Sequence, residues 1–407
     1  MRNFRRWLVL ALMVGPACVA VAGAKRPPVA TNRAGRLSHV AEPMAATPDS
    51  TSAEALPGKQ EVLATVRKVN SYQVAHPVID KWEAAHPGVS PMHRPWPRAT
   101  YYTGVMAVWK TTHARSFLEQ GAKWGRESQW GVGEEQLGGN RLFPMQTWLE
   151  VYFVKKDRAM VEPSIKWLAT PDPLTPAGAK RWYLDDRGER ERNVPYADSL
   201  YGASALAMLA KATGDKNYLN IMNAFFDDVT QALFDKEAGL YYRDSTFIGK
   251  RTPNGKKVLW SRGNGWVFAG IARILEYLPN NDPGRQRYLE IFRRQAAELV
   301  KRQGADGLWR MNLDDPEQFP DPETSGTGFF CFGLAWGINH GVLERKQFLP
   351  AVQKSWHGLT QSLSPEGKVL WGQLVGDRPE TTARADTHEY VTGAFLLAGS
   401  EVYKLAR

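Results

Sequence analysis

From about residue 60 onward, apolar residues recur at the three- and four-residue spacing of α-helices, and the alternation typical of strands is rare. The helical segments fall into two alternating kinds. Tyr102–Trp109, Met145–Phe153, Ser199–Ala210, Trp266–Leu278, Gly328–Ile338 and Val391–Tyr403 are apolar or small on most faces. Ala114–Trp124, Arg158–Leu168, Asn217–Leu233, Arg285–Val300 and Phe348–Leu363 are apolar on one side, and Glu61–Ala85 supplies a sixth segment of this kind. Helices apolar all round are buried, whereas one-sided helices face water. Six buried and six outer helices predict an all-α double ring.

The links repeat as well. Thr213-Gly214-Asp215 is a tight turn joining an inner helix to its outer partner. Outer helices are followed by a glycine turn and a short aromatic strand, as at Gly239-Leu240-Tyr241, Gly307-Leu308-Trp309 and Gly367-Lys368-Val369-Leu370-Trp371. Inner helices begin near residues 101, 145, 198, 263, 326 and 390, a spacing of about 45 to 65 residues that is typical of helical-hairpin arrays. Six hairpins close into a toroid with no raw end. The N-termini of its inner helices converge at one mouth, where their partial positive charge favours an anion. Tyr101, Gln146, Asp198, Arg262 with Asn264, Thr327 and Thr392 stand at those starts.

Composition adds a leader and a charge. Arg2, Arg5 and Arg6 precede the apolar stretch Trp7–Ala22, and Ala22-Gly23-Ala24 is a small-residue cleavage site. This is the pattern of a secretory signal peptide over residues 1–24, too short for a good membrane span. It predicts a periplasmic or secreted protein with no membrane attachment once the leader is removed. Gly15-Pro16-Ala17 makes a poor lipidation site at Cys18. Residues 25–58, rich in Ala, Pro, Ser and Thr, read as a disordered linker, which leaves 59–407 as the catalytic domain. Leader removal takes three arginines and no acid, so the net charge falls from +10 to +7. It also leaves Cys331 as the single cysteine, so no internal disulfide is expected and the core must hold the domain together. A positive surface suits an anionic ligand, and no Lys/Arg run or zinc-finger spacing favours nucleic acid.

Several familiar chemistries are excluded by their motifs. HExxH, CxxC, GxSxG and GxxxxGK do not occur, and no metal or cofactor is expected. Gly263-Asn264-Gly265 followed by Gly270 is not a dinucleotide site, because Phe268 takes the third glycine's place and no βαβ unit surrounds it. Asp198, just before an inner helix, reads either as an N-cap or as a proton donor at the mouth. Trp260-Ser261-Arg262-Gly263-Asn264-Gly265-Trp266 is a costly helix start. Arg262 there suits a planar fork on a carboxylate, and the tryptophans suit a sugar ring. The alternative is a core turn in which Arg262 meets a structural acid. Glu323-Thr324-Ser325-Gly326-Thr327-Gly328 reads locally as a helix cap.

From about residue 95 to the C-terminus, these motifs resemble the unsaturated rhamnogalacturonyl hydrolases of glycoside hydrolase family 105, relatives of the unsaturated glucuronyl hydrolases of family 88. Leu334-Ala335-Trp336-Gly337-Ile338-Asn339 and Gly393-Ala394-Phe395-Leu396-Leu397-Ala398 carry the resemblance further. It implies an (α/α)6 barrel, in agreement with the hairpin count. The implied substrate is an anionic oligosaccharide ending in a 4,5-unsaturated uronate at its non-reducing end, as left by a polysaccharide lyase. Asp198, in Tyr196-Ala197-Asp198-Ser199-Leu200-Tyr201, matches the family's catalytic aspartate. Trp260, Arg262 and Trp266 match residues that bind the uronate. The implied reaction protonates C4 of the enol ether and adds water at C5, so the carboxylate pair of ordinary glycosidases is not required. The remaining substrate-binding candidates are Tyr101, Asn140, Gln146, Tyr196, Arg243 and Thr327.

The chain also departs from the family. In Asn140-Arg141-Leu142-Phe143-Pro144-Met145-Gln146, Asn140 or Arg141 stands where a second aspartate is expected. Tyr241-Tyr242-Arg243-Asp244 lacks the histidine that often follows the paired aromatics, and Gly202 replaces a common methionine. Two alternative functions share the toroid: a polysaccharide lyase with Tyr101, Tyr196 or His388 as base, and an inactive oligosaccharide-binding homologue.

Overall fold

The computed structural model describes residues 55–79, 84–85, 93–133, 138–169, 184–185 and 194–407. The leader and most of the expected linker lie outside these residues. Among them, twelve helices alternate between an outer and an inner layer. The outer ones are α1 (Lys59–Ala75), α3 (Arg115–Glu127), α5 (Glu162–Ala169), α7 (Asn217–Leu233), α9 (Arg285–Lys301) and α11 (Arg345–Gln361). The inner ones are α2 (Trp96–Thr112), α4 (Phe143–Lys155), α6 (Leu200–Thr213), α8 (Ser261–Tyr277), α10 (Thr324–Asn339) and α12 (Glu389–Leu405). Each inner helix packs on the next, and α12 packs back on α2, so the ring closes.

Strands among the described residues form three two-residue antiparallel pairs: β1–β2 (Leu184–Asp185, Val194–Pro195), β3–β4 (Phe234–Asp235, Leu240–Tyr241) and β5–β6 (Trp309–Arg310, Pro322–Glu323).

The outer helix expected over Arg158–Leu168 divides into a 3₁₀ turn, Arg158–Met160, and α5, and the strand expected at Gly367–Trp371 is reduced to a single bridge between Leu363 and Val369. Two further boundaries shift because of proline. The first helix stops at Ala75 rather than reaching Ala85, since Pro77 drives His76 out of helical geometry. Helix α2 starts at Trp96 rather than near residue 101, because Pro95 holds the N-cap extended and Pro97 suits the first turn.

Closing the ring requires a tight seam between α2 and α12. A Cβ on Gly104 would lie 2.5 Å from the Gly393 carbonyl oxygen, and one on Gly393 would lie 2.5 Å from that of Thr100. Both positions therefore need glycine for backbones to touch. Cys331 is buried in α10 as a free thiol, and burial pushes it up to about 12 against a hydrogen bond with Ser355.

The bore is filled in layers. Nearest the helix N-termini is a cluster of six aromatic rings, one from each inner helix: Trp96, Phe143, Tyr201, Trp266, Phe329 and Tyr390. Trp266 is central, with centroid distances of 4.4 Å to Phe329, 5.1 Å to Tyr201 and 5.7 Å to both Trp96 and Phe143. Below it, the Gln146 amide oxygen accepts from Ser204 Oγ (2.8 Å) and Arg273 Nε (2.6 Å). At the far end, the Lys110 ammonium donates to Glu150 (3.1 Å), Glu276 (2.5 Å) and the Tyr277 hydroxyl (2.6 Å). Tyr277 in turn donates to Glu150, and Arg273 lies 3.7 Å from the same carboxylate. Lysine at the C-terminal end of α2 also opposes the negative ends of the inner-helix dipoles.

This ionic base makes stability depend on pH. Burial alone would raise the Glu276 carboxyl, but Lys110 and Arg273 outweigh it and hold it down at about 2, against 4.5 for a free glutamate. A lowered folded-state value stabilises the fold above pH 4.5, and that contribution is lost as pH falls towards about 2. Lys110→Met should cost about 2 kcal/mol at neutral pH, because it leaves the buried Glu150 and the partly exposed Glu276 without their ammonium. Urea unfolding should show the acid-side loss of stability flattened or reversed in the variant. An acid slope equal to that of the wild type would refute the assignment.

Candidate active site

The mouth is built where short loop segments pair above the aromatic layer. Asp198 sits in a 3₁₀ turn, Ala197–Ser199, that runs into α6. The chain before this turn pairs with the chain after β4: Tyr196 bridges Asp244, and the Ala197 N–H donates to the Arg243 carbonyl at 2.8 Å. That pairing sets Arg243 beside Asp198. Arg243 Nε donates to Asp198 Oδ2 at 3.2 Å and Nη1 to Asp244 Oδ2 at 3.0 Å. The guanidinium lies 5.1 Å from the centroid of the Tyr196 ring, and the Tyr196 hydroxyl reaches Asn140 Oδ1 at 3.5 Å. Within this group Asp198 is the more open member of the ion pair, its side chain 14% exposed against 6% for Arg243. Asp244 is fixed further by accepting from the Thr246 N–H and hydroxyl.

The Trp260–Trp266 segment supplies the opposite wall. Its residues have separate duties. The Asn264 amide clips both polar groups of the Tyr241 backbone, donating to the carbonyl at 2.9 Å and accepting from the N–H at 2.8 Å, which fixes β4 and the Arg243 segment that follows. The Trp260 indole N–H donates to Gln373 Oε1 at 2.8 Å. A Cβ on Gly263 would lie 2.9 Å from Trp260 Cε3 and 3.4 Å from Asp198 Oδ1. The bare glycine thus leaves room for the acid and the indole to pack against the first turn of α8.

Six expectations for site residues change here. Arg262 faces neither a substrate carboxylate nor a structural acid. It is fully buried, and donates to the carbonyls of Gln373 (2.7 Å), Leu374 (3.0 Å) and Gly376 (3.2 Å) and to the Tyr390 hydroxyl (3.1 Å). Its guanidinium is held 4.5 Å from the Trp260 ring centroid and 4.9 Å from that of Tyr390. Trp266 is part of the aromatic floor, and Gln146 lies beneath that floor with its amide nitrogen on the Tyr201 carbonyl at 3.3 Å. The Tyr101 hydroxyl turns away from the bore to Asn70 and Gln120. Thr327 is buried, accepting from the Trp309 N–H and donating to the Glu323 carbonyl. Asp198 is not the N-cap of α6; that position is Ser199, which makes no side-chain cap bond. For Arg262, Trp266, Gln146 and Thr327 the position in the first turns of a helix is right, but the side chain's direction around the helix axis is not readable from that position; for Tyr101 and Asp198 the helix boundary itself moved.

The structure does bring Asn140, Tyr196, Asp198, Arg243 and Trp260 to one mouth. Glu323 caps α10, as its local sequence suggests, accepting from the N–H groups of Ser325 and Gly326. His388 caps α12, with Nδ1 accepting from the Glu389 N–H. Gln373, Tyr390 and Asp244 were missed. Asp244 had a signal in its adjacency to Arg243. Gln373 and Tyr390 had none, because the residues that tie them to the mouth, Trp260 and Arg262, are more than a hundred positions away.

The family model for Glycosyl Hydrolase Family 88 matches residues 64–406. The chain belongs to glycosyl hydrolase family 88. This family 88 hydrolase is 32% identical over 353 residues to an unsaturated 3S-rhamnoglycuronyl hydrolase from Formosa agariphila, covering 80% of this chain and 88% of that protein. Among solved structures, it is similar to a family 88 glycosyl hydrolase from Bacteroides vulgatus, with a TM-score of 0.73 and 28% identity over 86% of this chain and 99% of that one. It is also similar to a protein named as a polysaccharide lyase, with a TM-score of 0.71 and 29% identity over 85% of this chain and 98% of that one. The six-hairpin toroid read from the helix pattern is the fold of these family 88 neighbours.

Gly263 gives a direct test of the mouth's geometry. Gly263→Ala should lower kcat/KM of this family 88 hydrolase by about tenfold or more, since a small displacement of a reacting group carries a cost of that order. Thermal stability should fall only modestly, because alanine's better helix preference offsets part of the cost of the 2.9 Å contact with Trp260. Wild-type kinetics in the variant would mean that the space left by Gly263 beside Asp198 does not matter to turnover.

Proposed function

We propose that this hydrolase releases a terminal 4,5-unsaturated uronate from the oligosaccharide products of a polysaccharide lyase, with Asp198 as the proton donor. The Asp198–Arg243 pair carries the reading: a partly exposed carboxyl and a guanidinium meet at 3.2 Å above a closed aromatic floor. Family membership and the name of the Formosa relative support it, and that name also supports a substrate in which rhamnose accompanies the uronate. The leader read at residues 1–24 supports export, so that the enzyme meets its oligosaccharide outside the cytoplasm.

The chemistry follows from the enol ether. Asp198 delivers a proton to C4, and the positive charge that develops at C5 is shared with the ring oxygen. Water adds at C5 and returns a proton to the Asp198 carboxylate. The resulting C5 hemiketal opens to a ketone, and the C1 hemiacetal so formed expels the aglycone as an alcohol. One water is consumed, and no anomeric nucleophile takes part. Arg243 is the cation that receives the substrate's carboxylate. As that carboxylate competes for the guanidinium, Asp198 loses part of its counter-ion and gains a negative neighbour, and both changes favour its protonated form. The Tyr196 ring, whose hydroxyl reaches Asn140, packs against Arg243.

The second reading, a lyase, is favoured by the similarity to the protein named as one. The ultraviolet absorbance of the conjugated C4=C5 bond separates the two, since the hydrolase consumes it and a lyase creates it. With unsaturated oligosaccharides from several lyases, the wild type should remove the absorbance and Asp198→Asn should slow this about a thousandfold with thermal unfolding unchanged. Full activity in Asp198→Asn would end the catalytic assignment. Growth of absorbance from uncut polysaccharide would instead establish the lyase.

A further inference from the structure

The loop that Arg262 holds has no part in the reaction as proposed, yet it is tied firmly to the start of α8. Four donor bonds from one fully buried guanidinium end on Gln373, Leu374, Gly376 and Tyr390. Tyr390 itself donates to the Gln373 carbonyl, and the Gln373 amide nitrogen donates to the Arg378 carbonyl at 2.8 Å, closing the loop on itself. The loop sits one indole from the acid: Trp260 bonds Gln373 through Nε1, while its Cε3 edge borders Gly263, where a Cβ would be 3.4 Å from Asp198 Oδ1. What this rigid support carries is apolar. Leu374 and Val375 are 53% and 55% exposed, adjacent in sequence, at the rim of a mouth whose other members are polar or aromatic.

Two branched aliphatic side chains held open to water beside a sugar site call for an apolar partner, since burying them is favourable and leaving them exposed is not. Aromatic residues commonly contact pyranose faces, whereas a paired Leu and Val tip matches a methyl group. We infer that the Gln373–Gly376 loop is the subsite for the sugar bonded to the unsaturated uronate, that Leu374 and Val375 contact the methyl group of a 6-deoxy sugar there, and that Arg262 is a positioning residue that acts through the loop. This rests on the hydrolase reading above and adds to it the residues that select the aglycone.

The test compares kcat/KM for unsaturated uronate linked to rhamnose with that for the same uronate linked to the 6-hydroxyl counterpart of rhamnose, and with its methyl glycoside. The wild type should prefer the 6-deoxy disaccharide by about tenfold, the discrimination that one small apolar group gives. Leu374→Ser/Val375→Ser changes only exposed side chains, so folding is secure, and the preference should vanish. Arg262→Lys keeps the charge without the planar fork, and it too should reduce the preference while affecting the methyl glycoside less than the disaccharides. An undiminished preference in the double variant would overturn the subsite. Equal losses on all three substrates in Arg262→Lys, with the preference intact, would return Arg262 to the uronate carboxylate and overturn its positioning role. A wild type inactive on every one of these substrates would overturn the hydrolase reading, and this inference with it.

Discussion

A ring of six helices is a pore unless something fills it, and here one aromatic side chain from every inner helix does so. The rings stand close to the helix N-termini. Trp96 and Phe143 are the first residues of α2 and α4, Tyr201 and Tyr390 the second of α6 and α12, and Trp266 and Phe329 the sixth of α8 and α10. Their mutual contacts fix the height at which the bore closes. On the N-terminal side of these rings lie Asp198 and Arg243, and on the other side lie the buried side chains of the bore. Next to such a floor the Asp198–Arg243 pair interacts through little water, which strengthens both the attraction between them and the effect of any anion that enters. The proposed chemistry depends on this closure.

Charge is sorted along the same axis. Helix α8 carries Arg262, Trp266, Arg273 and Tyr277 at spacings of four, seven and four, so they line one face from the mouth to the base. Arg262 at the top is consumed by backbone carbonyls, and Arg273 near the bottom serves Gln146 and Glu150. Two fully buried arginines on one helix thus do different work. The upper one holds a loop, and the lower one helps to neutralise acids that the base could not otherwise keep buried.

The Trp260–Trp266 segment shows how a motif can mark a site without naming its contacts. Its position at the start of α8 was legible, and so was the presence of a site there. Which of its residues meets substrate was not. Asn264 and Arg262 turn to backbone, Trp266 turns into the floor, and Gly263 matters for what it lacks. Arg243, in a segment with no helix signal, comes to the acid because two short extended stretches pair across the mouth.

The sequence by itself determined the alternation of buried and amphipathic helices, and hence the toroid, because helical periodicity is a local property that each segment displays alone. It also determined that Asp198 stands at an inner-helix start, and that the chain has the motifs of an unsaturated uronyl hydrolase. Only the tertiary structure decided that Arg243 lies beside that acid while Arg262 holds a loop, that Gln146, Thr327 and Tyr101 are structural, and that Gln373 and Tyr390 belong to the mouth. Those contacts join residues up to 128 positions apart. They depend on the rotation of each helix about its own axis, which is set by packing against two neighbours in the ring and by the close glycine seam between α2 and α12, not by any pattern within one helix.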